Sequence, residues 1–78
     1  MSEVQLFTTR GCHLCEEAEL LLLQAAQSLP VTVMAVEISE DPALVERYGI
    51  RIPVVRRQDD GRELGWPFDL DGLLQFLG

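Results

Sequence analysis

A strand-like run, a helix-like run and a second strand-like run follow one another in the first half of this chain, and Pro30 divides the last two. Residues 3–8 (Glu3-Val4-Gln5-Leu6-Phe7-Thr8) alternate and then turn apolar, which predicts a largely buried strand. Leu14, Ala18, Leu21, Leu22, Ala25 and Leu29 fall on one face of a helical wheel, the stripe expected of a helix packed on a core. Pro30 stops that helix, because proline has no N–H and clashes with the preceding turn. Val31 to Ile38 is rich in β-branched residues and predicts a second strand. Two strands joined by such a helix pair in parallel through a right-handed crossover.

The second half continues the pattern. Asp41-Pro42 is an N-cap followed by proline at the first helical position, so a helix runs from Pro42 to Tyr48 and ends at Gly49. Leu44, Val45 and Tyr48 are its expected buried face. Ile50 to Arg57 leads into a third strand, Asp59-Asp60-Gly61 signals a tight turn, and Arg62 to Trp66 forms the returning strand of a hairpin. Trp66-Pro67-Phe68-Asp69 caps a short final helix to about Leu77, with Leu70, Leu73, Leu74 and Leu77 as its stripe. The order is β-α-β-α-β-β-α, an α/β chain with a four-stranded mixed sheet and helices on both faces. Arg56 and Arg57 are expected to be solvated charges of an alternating strand.

At 78 residues the chain is expected to be one domain, 1–78, with a compact core and no deeply enclosed site. A net charge of −7 repels phosphates, which argues against nucleic acid or an anionic membrane as partner. Met1-Ser2-Glu3 is acidic and runs straight into the first strand, so no secretory leader is expected. The apolar runs are too short to span a membrane. The expected location is cytoplasmic, and a monomer is expected. In that compartment a Cys-x-x-Cys pair is more often catalytic, redox-sensing or metal-binding than a structural disulfide.

Thr8-Thr9-Arg10-Gly11-Cys12-His13-Leu14-Cys15 holds the two cysteines and the single histidine, and links the first strand to the first helix. The helix is expected to start around Cys12 or His13. Its unpaired N–H groups point outward and lower the pKa of a thiol placed there from the free value of about 8.5. Arg10 and His13 add positive charge. Cys12 is therefore the expected attacking thiol, and Cys15, one turn on, the resolving thiol that closes the ring after a mixed disulfide forms. His13 either tunes the thiolate or is an exposed spacer. Structural zinc needs about four ligands, more than Cys12, Cys15 and His13 supply, so no metal is expected. A site bridging two copies is the distant alternative.

Leu6-Phe7-Thr8 before Cys12-His13-Leu14-Cys15, then Tyr48-Gly49-Ile50-Arg51-Ile52-Pro53-Val54, the Asp60-Gly61 hairpin and the last helix together resemble the glutaredoxin-like members of the thioredoxin superfamily. The resemblance spans nearly the whole chain and is nearest to small bacterial glutaredoxin-like proteins with a similar Trp66-Pro67-Phe68-Asp69 ending. It implies a thioredoxin fold and thiol–disulfide exchange. It also implies a cis-proline at Pro53, where the residues alone equally allow an ordinary edge-strand proline. The backbone of Ile52 would then be an edge for an extended substrate. Glutathione is implied as a co-substrate, with no bound cofactor. The partners implied are protein disulfides or glutathione mixed disulfides, and a cellular reductant.

The chain also departs from that family's pattern. Thr9 stands where a basic residue usually contacts the glutathione carboxylate, and Arg10 follows it. His13 and Leu14 replace the usual aromatic inside the motif, and Trp66-Pro67-Phe68 replaces the glycine pair before the last helix. Asp69 either completes a γ-glutamyl site or caps the last helix. Trp66 and Phe68 either finish the core or, for Trp66, line the groove beside the disulfide. Leu20 and Leu23 fall on the polar side of the first helix, as scattered exposed leucines or a partner contact. The candidate substrate-binding residues are thus Arg10, His13, Ile52, Trp66 and Asp69. Two functions fit: a thiol–disulfide oxidoreductase, or a binding module whose Cys-x-x-Cys switches partner affinity.

Overall fold

Alternating burial along the first strand sets the layers of the molecule. In the computed structural model, which describes residues 2–78, strand β1 (Ser2–Thr8) turns Val4 and Leu6 to one face and Phe7 to the other. Helix α1 (His13–Ser28) carries the chain to β2 (Val31–Glu37), which pairs in parallel with β1 from Ser2 opposite Val31 to Thr8 opposite Glu37. A 3₁₀ turn at Ile38–Glu40 and helix α2 (Pro42–Tyr48) lead to the antiparallel hairpin of β3 (Val54–Arg57) and β4 (Glu63–Gly65). Helix α3 (Leu70–Leu77) closes the chain. Phe7 lies opposite Val54 on the other side of β1, so the four-stranded sheet has the order β2-β1-β3-β4. Element order and mixed sheet are those expected. No helix among the described residues is long and apolar enough to cross a membrane.

Each sheet face has its own core. On one, Val4, Leu6 and Val55 pack against Ala18, Leu22 and Ala25 of α1 and Leu73 and Leu77 of α3. Burying each large aliphatic side chain there contributes about 1.5–3 kcal/mol relative to leaving it in water. On the other, Phe7 and Val54 pack against Ile38 and Tyr48, with the Phe7 and Tyr48 rings stacked at 4.2 Å between centroids.

Local chemistry explains most boundaries. The Asp41 carboxylate accepts from the Ala43 N–H at 2.9 Å and Pro42 occupies the first turn, so α2 starts where expected. Gly61 has φ +75°, a conformation that an L side chain rarely adopts, and it lets the hairpin turn. The third strand starts at Val54 rather than in the Ile50 region. The N–H groups of Arg51 and Ile52 both donate to the Tyr48 carbonyl, which bends residues 49–53 into a turn. β4 ends at Gly65, one residue before a cis Trp66–Pro67 bond.

Three side chains differ from expectation. Leu14 is 44% exposed. With Cys12 as the cap, the buried stripe of α1 is Cys15, Ala18, Leu22 and Ala25, and Leu14 turns away from it. Val45 is also exposed, because α2 is short and buries chiefly Tyr48. Arg57 is not a solvated charge: its side chain is 13% exposed. Strand alternation places it on the α1 and α3 face. There its Nη1 donates to the Phe76 carbonyl at 2.8 Å, satisfying a helix C-terminal acceptor, while Asp59 holds the rest of the guanidinium.

Candidate active site

The C-terminal end of β1, the N-terminal end of β3 and the C-terminal end of β4 meet at one end of the sheet, since Phe7 pairs with Val54 and Val54 with Gly65. The loop carrying Cys12 leaves β1 there, and Pro53 enters β3 there. In the loop, Gly11 adopts φ +77° and the Cys12 N–H donates to the Thr9 carbonyl at 3.2 Å. This turn delivers Cys12 to the N-cap of α1.

Cys12 is an unusual cap. Serine, threonine, aspartate or asparagine normally accepts the orphan N–H groups of a first turn; here the Cys12 Sγ accepts from the Cys15 N–H at 3.2 Å. The same sulfur is joined to the Cys15 Sγ as a disulfide, with Cα atoms 5.2 Å apart. The two thiols differ in access. Cys12 is half-buried, whereas Cys15 is 2% exposed and belongs to the buried stripe of α1.

The Ile52–Pro53 bond is cis, which is the geometry that the sequence resemblance implies. The Pro53 carbonyl accepts from the Trp66 N–H at 3.1 Å, tying this turn to the end of β4. The Ile52 N–H is committed to the Tyr48 carbonyl at 3.0 Å. Of the two backbone groups on the Ile52 edge, the carbonyl is the one without a hydrogen bond among the described residues. The edge is thus an acceptor, with its donor spent in the turn after α2.

The other candidates separate. Arg10 is exposed, and its backbone N–H donates to Glu37. His13 is highly exposed on the first turn of α1, its Nδ1 3.5 Å from Glu16. Trp66 and Phe68 are half-buried, pack against the α1 and α3 core and meet edge to face at 5.0 Å. The Asp69 Oδ1 accepts from the Gly72 N–H at 2.8 Å, the geometry of a helix cap.

Sequence reasoning missed Glu37. Its carboxylate accepts from the Arg10 and Ser39 N–H groups, and the Thr9 hydroxyl foremost, with these two bonds, holds its pKa below the ordinary glutamate value. The signal lies in the register: parallel pairing sets Glu37 beside Thr8, at the root of the cysteine loop.

The model of the glutaredoxin-like domain, DUF836, matches residues 3–78. The chain belongs to this family. No curated protein sequence matches it. Among solved structures, a structural-genomics target protein from X. campestris is 40% identical to this glutaredoxin-like chain. The alignment covers 95% of this chain and 93% of that one, with a TM-score of 0.84. A protein from Nitrosomonas europaea superposes with a TM-score of 0.85 at 24% identity, over 99% and 92% of the two chains. A mutant thioredoxin from Halobacterium salinarum gives 0.76 at 24% identity, over 97% of this chain and 71% of its own. The glutaredoxin-like chain therefore has the thioredoxin fold, and its Cys12–Cys15 pair fits a redox role.

Proposed function

We propose that this protein is a thiol–disulfide oxidoreductase of the glutaredoxin-like type. The observation that carries the reading is the asymmetry of the pair. The sulfur of Cys12, a half-buried residue, caps the helix and receives the Cys15 N–H, whereas Cys15 is buried. A helix N-terminus favours the thiolate over the thiol. In the reduced protein the Cys12 thiolate attacks one sulfur of a substrate disulfide, and the other sulfur leaves as a thiolate. Cys15 then attacks the Cys12 Sγ, its proton passing to the second departing substrate thiolate. The substrate has gained two electrons and one proton from the pair, its first thiolate takes a second proton from water, and Cys12–Cys15 is the disulfide seen here. A cellular reductant returns the pair to the dithiol.

Pro53 and the Ile52 carbonyl form the wall against which an extended substrate lies, with Trp66 fixing that wall through the Pro53 carbonyl. Arg10 contributes positive charge near the mouth, and His13 is exposed there beside Cys12. Protein disulfides or glutathione mixed disulfides are the substrates, glutathione is a co-substrate rather than a bound cofactor, and the setting is the reducing cytoplasm. Asp69 serves this site as the cap of α3.

The test compares glutathione with its reductase against thioredoxin reductase as electron donor to the pure protein. Multiple turnover with either supports the proposal, and Cys12→Ser abolishes it. Cys15→Ser accumulates a mixed disulfide on Cys12. A protein that oxidises and reduces reversibly yet turns over with neither donor is instead a redox switch, a reading that Thr9 at the usual basic position also favours.

A further inference from the structure

Two backbone donors converge on the carboxylate of Glu37. The Ser39 N–H, at 3.1 Å from Oε2, belongs to its own segment. The other comes from the cysteine loop, the Arg10 N–H at 3.0 Å from Oε1, and the Thr9 hydroxyl of the same loop favours the charged carboxylate. The peptide that carries the Arg10 N–H also presents the Thr9 carbonyl, which accepts the Cys12 N–H at 3.2 Å. Cys12 in turn holds the Cys15 N–H on its sulfur. A continuous chain of bonds therefore runs from Glu37 through the Thr9–Arg10 peptide to Cys12 and Cys15. The loop has little packing of its own to hold it: Arg10 and Gly11 are exposed, and nothing lies within 4 Å of the position a Gly11 side chain would take.

We infer that Glu37 is a positioning residue for the Cys12 thiolate, anchoring the Thr9–Arg10 backbone so that Cys12 stays on the N-terminus of α1. The inference rests on the reading of Cys12 as the attacking thiol and goes beyond it by assigning the loop's anchor to β2. It also gives Thr9 a role. Where the resembling family usually has a basic residue for glutathione, this side chain is turned to Glu37.

The two effects of a carboxylate here have opposite signs. Its charge alone disfavours a nearby thiolate and raises the thiol pKa. Its anchoring keeps the sulfur on the helix N-terminus and lowers the pKa. Anchoring dominates, so removing the side chain raises the Cys12 pKa even though a negative charge is lost.

The experiment titrates the Cys12 thiolate by ultraviolet absorbance in a Cys15→Ser background, where one thiol remains. Glu37→Ala shifts the midpoint upward, towards the free-cysteine value of about 8.5. It also slows stoichiometric reaction with an aromatic disulfide reagent several-fold at neutral pH. Glu37→Gln, which keeps an acceptor for the Arg10 N–H, restores most of the shift. Thr9→Val shifts the midpoint in the same direction, and the Thr9→Val/Glu37→Ala double variant goes no further than Glu37→Ala alone, because the Thr9 hydroxyl acts only through the Glu37 anchor. An unchanged or lowered midpoint in Glu37→Ala, or additive shifts in the double variant, overturns the inference. These readouts need no turnover, so a chain inactive with every electron donor would defeat the proposed enzymatic function while leaving the Glu37 result intact.

Discussion

The Tyr48 hydroxyl donates to the Glu63 carboxylate, joining the last residue of α2 to the first residue of β4. Arg51 adds a hydrogen bond at 3.1 Å to the other carboxylate oxygen, and Arg47 lies 3.9 Å away. Burial raises the pKa of Glu63, but the Tyr48 and Arg51 hydrogen bonds and the two guanidinium charges outweigh it, and the net direction is downward. Burial, followed by the Glu63 carboxylate, raises that of Tyr48.

The pH dependence follows from that direction. A carboxylate with a depressed folded-state pKa contributes stability above its unfolded value, here 4.5, and loses it as pH falls through the lower folded value. Glu63→Gln is expected to cost about 1–2 kcal/mol at neutral pH. The difference from the parent shrinks as the pH drops below 4.5. Denaturant unfolding across that range checks it; a difference that stays constant into strong acid refutes the assignment.

Tyr48→Phe keeps the ring stacked on Phe7 and removes only the hydroxyl. The expected loss is about 1–2 kcal/mol, because Glu63 gives up one charged hydrogen bond while its arginine partners remain. Tyr48→Ala empties the second core as well and is expected to cost about 3–5 kcal/mol. Equal losses for the two variants would show that the ring contributes nothing.

Neighbouring leucines on α1 are expected to behave oppositely. Leu22 is 2% exposed in the main core, so Leu22→Ala costs about 2–5 kcal/mol. Leu20 and Leu23 are 60% and 64% exposed, and serine at either position changes stability by about 0.5 kcal/mol or less. Thermal unfolding of the three variants measures the contrast.

Asp69 accepts the Gly72 N–H as the cap of α3. Asp69→Ala is expected to lower stability by about 1 kcal/mol, whereas Asp69→Asn, which also caps well, restores most of it. A stability loss in Asn as large as that in Ala would mean that charge rather than capping is what the helix uses.

Much of the molecule could be read along the chain because its signals are local. Pro30, the Asp41-Pro42 cap and the Asp60-Gly61 turn act within a few residues, and the structure ends or starts its elements at or beside them. The Cys12 and Cys15 pair was legible for the same reason. The errors lie where rotation or register decides. Leu14 and Cys15 are adjacent in sequence, and which of them enters the core depends on how α1 is turned from its cap. Arg57 looked like a solvated strand charge because nothing nearby in sequence shows that α3 ends with a free carbonyl beside it.

Residue order alone was therefore enough for the β-α-β-α-β-β-α course, the position of the thiol pair at a helix start and most, though not Leu14 or Val45, of the apolar residues chosen for a core. Periodicity, proline and capping chemistry are properties of short segments. Three-dimensional packing was needed to place Glu37 under the Cys12 loop, to spend the Ile52 N–H on Tyr48 and to tie Pro53 to Trp66. Each of these depends on which strands become neighbours and in what register. That choice is made by burying two apolar faces at once, and no local stretch of the chain encodes it.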